Sequence, residues 1–163
     1  MKRFIALLSV ITSLALPLAG TTPNRPAPAL VFKDLAGQDV SLAALKGKVV
    51  VVDFWATWCG PCLTEIPGYI ALQKKYGAAG LVIIGVSLDQ AGPRVVKKFV
   101  QDNGVNYTVV MGDTEAIDAF QGDQAGEILL PTTYLIDRTG RIVHQKKGAM
   151  DHAAYEAIVQ QAL

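Results

Sequence analysis

The segment VVDFWATWCGPCLTEIP, Val51 to Pro67, constrains the fold more than any other part of the chain. Val49 to Trp55 is a continuous run of β-branched and aromatic residues interrupted only by Asp53. That is the pattern of a strand covered on both faces, and so of a central one. Cys59-Gly60-Pro61-Cys62 then opens a stretch in which Leu63, Ile66, Ile70 and Leu72 recur at roughly helical spacing as far as Tyr76-Gly77, with Pro67 expected to kink it. A strand, a tight loop and a helix thus deliver two cysteines to a helix N-terminus.

The rest of the chain continues the alternation. Leu30 to Leu35 and Asp39 to Leu42, joined across Ala36-Gly37-Gln38, read as a short hairpin. Leu81 to Leu88 is a second buried strand, Val95 to Val100 begins a helix that Asn103-Gly104 closes, and Tyr107 to Met111 is another strand. Thr114 to Phe120 reads as a short helix. Thr132 to Ile136 and Arg141 to Gln145 flank the turn Asp137 to Gly140, and Asp151 caps a last helix to Leu163. Strands alternating with helices and ending in a hairpin specify a mixed α/β sandwich.

Residues 1–20 differ in kind. Lys2 and Arg3 precede an apolar stretch, Phe4 to Leu16, and small residues follow at Ala19 and Gly20: a secretory signal pattern. As a helix, residues 4–19 would span roughly 24 Å against a hydrocarbon core of roughly 30 Å, so removal is expected, with an uncleaved anchor as the competing reading. Thr21 stands where a lipidated cysteine would have to be, so no thioether-linked lipid forms there. Residues 21–29, TTPNRPAPA, read as an extended Pro-rich spacer, and residues 30–163 as one domain. Lys2 and Arg3 are two of the 15 basic residues set against 14 acidic ones. What remains is near neutral without a basic cluster, which argues against nucleic acid as a partner.

The chain has only 2 cysteines. A closed zinc site needs four ligands, and His144 and His152 lie in separate elements without ligand-like spacing, so no metal is expected. A purely structural disulfide across so short a loop removes little chain entropy from a domain that already has a large core. The reading left is a redox dithiol. Helix N-terminal N–H groups and the macrodipole favour a thiolate at Cys59 by about 0.3 to 2 kcal/mol. A thiol pKa lowered from about 8.5 to about 7 raises the thiolate fraction about sixteenfold, and the accompanying loss of nucleophilicity leaves a net gain of about threefold in attack. The low pKa therefore serves leaving-group quality and redox poise as much as speed. Cys62, one turn on, is placed to resolve a mixed disulfide. Pro61 removes an N–H that lacks a helical partner anyway, and Gly60 lets another chain approach.

Resolution requires a base for Cys62. Asp53, a charge in the middle of an apolar strand, is expected to have a raised pKa and to suit that role. Glu65, three residues past Cys62, lies on a neighbouring helix face and is the second candidate. The bland alternatives stay open: a solvated helix residue for Glu65, a satisfied strand-end carboxylate for Asp53. Trp55 reads as core and Trp58 as the rim of the site. Gly148 reads either as a groove residue or as a plain turn glycine.

These residues resemble the thioredoxin superfamily. VVDFWATWCGPC matches its active-site segment almost throughout, and Leu130-Pro131-Thr132-Thr133 resembles the loop that carries a cis proline facing the cysteines. The resemblance implies a thioredoxin-like three-layer α/β sandwich with a mixed central sheet, Pro131 set against the dithiol, and a substrate segment pairing with the backbone around Leu130. The strand-helix surplus over roughly Gly92 to Gly112, the N-terminal hairpin, the signal segment and Glu65 resemble the exported TlpA/ResA-type thiol:disulfide oxidoreductases, including those serving cytochrome c maturation. Asp53 matches the buried aspartate of general thioredoxins, and Glu65 the acidic residue of the cytochrome-maturation group.

The function so implied is reduction of disulfides in protein substrates in the periplasm or at the extracytoplasmic face of a bacterial membrane. It needs no cofactor beyond the Cys59-Cys62 disulfide, and a membrane-bound electron donor would supply it. Oxidase or isomerase action is the nearer rival. A Cu(I)-binding assembly module is a different class, since paired thiolates suit that ion. A peroxidase is a third reading, although the segment does not resemble a peroxidatic cysteine site.

Overall fold

The computed structural model describes residues 24–122 and 127–163. The expected signal segment and tether, residues 1–20, and residues 21–23 lie outside the described residues. In chain order the elements are β1 (Arg25–Pro26), β2 (Val31–Lys33), β3 (Asp39–Ser41), a 3-10 turn at Leu42–Leu45, β4 (Val49–Trp55), α1 (Gly60–Tyr76), β5 (Leu81–Ser87), α2 (Pro93–Asp102), β6 (Thr108–Met111), α3 (Thr114–Gln121), β7 (Thr132–Ile136), β8 (Arg141–Lys147) and α4 (His152–Ala162). β2 and β3 form a separate hairpin, and the other strands make a mixed sheet in the order β1-β8-β7-β4-β5-β6. β4 is parallel to β5 and antiparallel to β7.

β4 is buried along its whole length, as its unbroken apolar run requires. Successive side chains of a strand point to opposite faces, and β4 divides its residues accordingly. Val50, Val52 and Phe54 pack with Phe32 of the hairpin, Phe120 of α3 and Tyr134 of β7. Val49 and Val51 pack with Tyr69 and Leu72 of α1 and Tyr155 of α4, while Trp55 joins Cys59, Cys62 and Ile66 of α1 and Val96 of α2. The result is the expected three-layer sandwich, with α1, α2 and α4 on one face and α3 and the hairpin on the other. Phe54 meets Phe120 and Tyr134 edge-on, with ring centroids 5.4 and 6.0 Å away. Truncating such a ring to alanine costs about 3–5 kcal/mol.

One boundary moves. Within the expected Pro-rich spacer, the described residues 24–29 are not simply a spacer: Arg25 and Pro26 pair with Ile142 and Arg141 as an edge strand, where a proline lacking N–H is tolerated. Arg25 also donates to the Phe120 carbonyl, Arg141 to Asn24, and the Ala27 N–H to the Gly140 carbonyl at 2.9 Å. Residues tied to the sheet thus include Arg25 and Pro26, ahead of Leu30; polar ties, invisible to a search for apolar periodicity, hold this strand. Pro67 lies inside α1, which continues through it to Tyr76 as one helix.

Candidate active site

β4 ends at Trp55, and the chain turns at once. The Cys59 N–H donates to the Ala56 carbonyl at 3.1 Å, closing a turn whose inner residues are Thr57 and Trp58. Cys59 caps α1, and its Sγ accepts the Cys62 N–H at 3.3 Å. Pro61 sits in the first turn, where its missing N–H costs nothing. The two cysteines form a disulfide with Cα atoms 5.3 Å apart. Cys59 thus stands at the N-terminus of α1, as the spacing implied, with its sulfur at the positive end of the helix dipole.

The two sulfurs are not equivalent. An open groove of about 880 Å³ is lined by Cys59, Gly60, Pro61, Trp58 and Leu130 but not by Cys62. Trp58 is 68% exposed at its rim, and a Cβ added to Gly60 would meet open space. The Leu130–Pro131 peptide is cis. Pro131 is buried, and its carbonyl accepts the Gly148 N–H at 2.7 Å. Gly148 has φ +78°, the left-handed region that glycine enters freely. Five of the sequence-derived residues, Trp58, Cys59, Gly60, Pro61 and Leu130, thus line one groove, and Cys62 does not.

Asp53 lies on the β4 face covered by α1. It is buried, and it accepts a hydrogen bond from Thr133 Oγ1 at 2.9 Å. Thr133 Oγ1 in turn lies 3.1 Å from the Tyr69 hydroxyl of α1. Burial pushes the Asp53 carboxyl up to about 7, with the Thr133 hydroxyl opposing and the Glu65 charge adding to the rise. Glu65 is half-buried and faces elsewhere: its Oε1 accepts the Met150 N–H at 2.7 Å. With Tyr69, His152 and Tyr155 it lines a second cavity of about 400 Å³, distinct from the groove. Burial raises its pKa too, against the Met150 N–H and the Lys146 charge.

Sequence reasoning missed several groups here. Thr133 stood in the Leu130-Pro131-Thr132-Thr133 motif, and its register opposite Asp53 on the neighbouring strand was the available signal. Asp89 carried none. It is a buried carboxylate just past β5 that accepts from the Thr57 N–H at 2.9 Å, the Thr57 hydroxyl at 2.5 Å and the Ser87 hydroxyl at 2.8 Å.

A family model described as Redoxin matches residues 22–163. The thiol-disulfide oxidoreductase ResA of Bacillus thuringiensis (strain Al Hakam) is 38% identical over 122 residues, 75% of this chain and 68% of the relative. ResA of Halalkalibacterium halodurans is 30% identical over 172 aligned positions, 98% of this chain and 94% of the relative. The crystal structure of a thiol:disulfide interchange protein from Chlorobium tepidum TLS matches with a TM-score of 0.78 at 33% identity, covering 88% of this chain and 99% of that one. A thiol:disulfide interchange protein from Bacteroides sp. matches with a TM-score of 0.72 at 27% identity, covering 85% and 88%. A dithiol capping a helix at the end of a central strand, a cis-proline loop beside it, and relatives of one activity along nearly the whole chain agree: this protein belongs to the Redoxin family, among the ResA-like, thioredoxin-fold thiol:disulfide oxidoreductases.

Proposed function

We propose that the protein reduces disulfides in protein substrates outside the cytoplasm, with Cys59 as the attacking thiol, Cys62 as the resolving thiol and Asp53 as the proton acceptor for Cys62. The observation that carries this reading is the asymmetry of the pair: Cys59 borders the open groove and Cys62 does not. The Cys59 thiolate attacks one sulfur of the substrate disulfide, whose S–S bond breaks to release a substrate thiolate. Cys62, losing its proton to Asp53, then attacks Cys59 Sγ in the mixed disulfide. The second substrate thiolate leaves, the Cys59-Cys62 bond forms, and two electrons have passed to the substrate.

An Asp53 carboxyl near 7 supports this assignment over Glu65, because a base near the operating pH both holds and releases a proton. Glu65 contributes through its charge, which raises Asp53. Trp58, Gly60, Pro61 and Leu130 form the surface for an extended substrate segment that pairs with backbone next to Pro131.

The leader-like residues 1–20 support export to the periplasm or the extracytoplasmic face of a bacterial membrane, with residues 4–19 as a tether wherever they are retained. In an oxidising compartment, regeneration of the dithiol requires a two-electron donor, which we assign to a membrane-bound reductant. Apocytochrome c is the substrate that the ResA kinship favours. The test is the reduction potential of the Cys59-Cys62 pair, equilibrated against glutathione or dithiothreitol. A value well below the glutathione couple is expected of a reductase. A value well above it would reverse the direction and make the protein an oxidase.

A further inference from the structure

Beneath the turn that presents Cys59 lies a polar clamp made of residues from two strand ends. Asp89 follows the C-terminal end of β5, next to the end of β4, and is 5% exposed. Its Oδ1 accepts from the Thr57 hydroxyl, and its Oδ2 from both the Thr57 N–H and the Ser87 hydroxyl. The Asp89 N–H donates back to Ser87 Oγ at 3.2 Å. The surrounding backbone is tied as well: the Leu88 N–H reaches the Trp55 carbonyl at 2.9 Å, and the Gly112 N–H reaches the Ser87 carbonyl at 2.8 Å. Thr57 is an inner residue of the turn that Cys59 closes onto Ala56. One carboxylate therefore fixes the backbone two residues before the attacking sulfur, from the floor of the groove.

We infer that Asp89 is a positioning residue for the dithiol, holding the Ala56–Cys59 turn in place when the disulfide is open. In the oxidised protein the Cys59–Cys62 bond ties that turn to α1. Reduction removes this tie, so the clamp and the Cys59-to-Ala56 hydrogen bond become the turn's chief restraints. The clamp is present with the disulfide formed, and by holding the turn it keeps Cys59 within reach of Cys62 in the open form; it therefore favours the disulfide, and its loss shifts the equilibrium toward the dithiol. The inference rests on dithiol exchange at Cys59 and Cys62 and adds the residue that keeps the attacking sulfur at the mouth of the groove.

Three variants test it, each equilibrated with dithiothreitol at pH 7 and read as the fraction of Cys59-Cys62 disulfide. Asp89→Ala deletes all three acceptor contacts and is expected to favour the dithiol about tenfold over wild type, near 30 mV for a two-electron couple. Asp89→Asn removes the charge but keeps the contacts: its carboxamide oxygen accepts from the Thr57 N–H and Ser87, and its NH2 donates to a rotated Thr57 hydroxyl. It is expected to restore the equilibrium to within about twofold of wild type. Thr57→Val removes one hydroxyl donor, carries the test even where Asp89→Ala fails to fold, and is expected to shift the equilibrium about threefold in the same direction.

Unchanged equilibria in Asp89→Ala and Thr57→Val would overturn the proposal. So would an Asp89→Asn protein shifted as far as Asp89→Ala, which would mean that charge rather than positioning governs. Wild-type protein that fails to exchange with dithiothreitol would sink the functional reading itself. Normal exchange with unaffected variants would sink only the role of Asp89.

Discussion

Two buried aspartates lie close to the dithiol segment, 3% and 5% exposed, and the sequence around them puts them to opposite uses. Asp53 sits in the middle of β4 with a single hydroxyl donor, Thr133, and its carboxyl rises to about 7. Asp89 sits where β5 has ended and collects a backbone N–H and two hydroxyls. Burial is nearly equal, and the two differ in the donors they collect. At Asp53 desolvation outweighs the one hydroxyl and leaves the carboxyl ready to take a proton, while the contacts at Asp89 tie the ends of two strands together. The fold supplies both from adjacent parallel strands, one beneath α1 and one beneath the turn that starts it.

Breaking the site altogether should have the largest effect. Cys59→Ser is expected to reduce disulfide turnover, measured with insulin and dithiothreitol, to the uncatalysed rate, since no thiolate then faces the groove. Asp53→Asn is next: it keeps an acceptor for Thr133 but cannot take a proton, and turnover at pH 7 is expected to fall about a hundredfold. Unaltered turnover would move the base to Glu65.

The same variant sharpens the comparison through stability. A folded-state pKa raised from 3.8 to about 7 gives a contribution that is present below pH 3.8 and lost as pH rises through 7. That span corresponds to about 4 kcal/mol. Asp53→Asn is therefore expected to be more stable than wild type at pH 8, by up to about 4 kcal/mol, and equal to it near pH 3, as read by urea denaturation. Glu65→Gln, which deletes a charge that raises Asp53, is expected to lower the midpoint of this effect. The smallest effect is that of Gly148→Ala, about 1 kcal/mol from a side chain forced to φ +78° beside Pro131.

Much of this was legible in the sequence because its signals are local. The apolar run of β4 marks a buried central strand, and a charge inside such a run marks itself: Asp53 stands out for the same reason, burial, that raises its pKa. The cysteine spacing and the strand-loop-helix context identify the dithiol, and the Pro131 motif identifies the facing loop. Asp89 stayed hidden because an acid after a strand, in Ser87-Leu88-Asp89-Gln90, is ordinary loop composition. What makes it special is Thr57, which only the parallel pairing of β4 with β5 brings near. β1 escaped for a related reason, since two residues tied by an arginine and backbone contacts have no period to detect. Glu65 was correctly placed on α1, but its direction depends on Met150, far along the chain.

The most direct test of the account is the titration of the Asp53 carboxyl, followed by carbon-13 NMR in the oxidised protein, where neither cysteine can titrate. The account predicts a midpoint near 7 that disappears in Asp53→Asn. A midpoint in the ordinary carboxylate range near 4 would contradict it, leaving Asp53 ionised throughout and Cys62 without the proton acceptor assigned here.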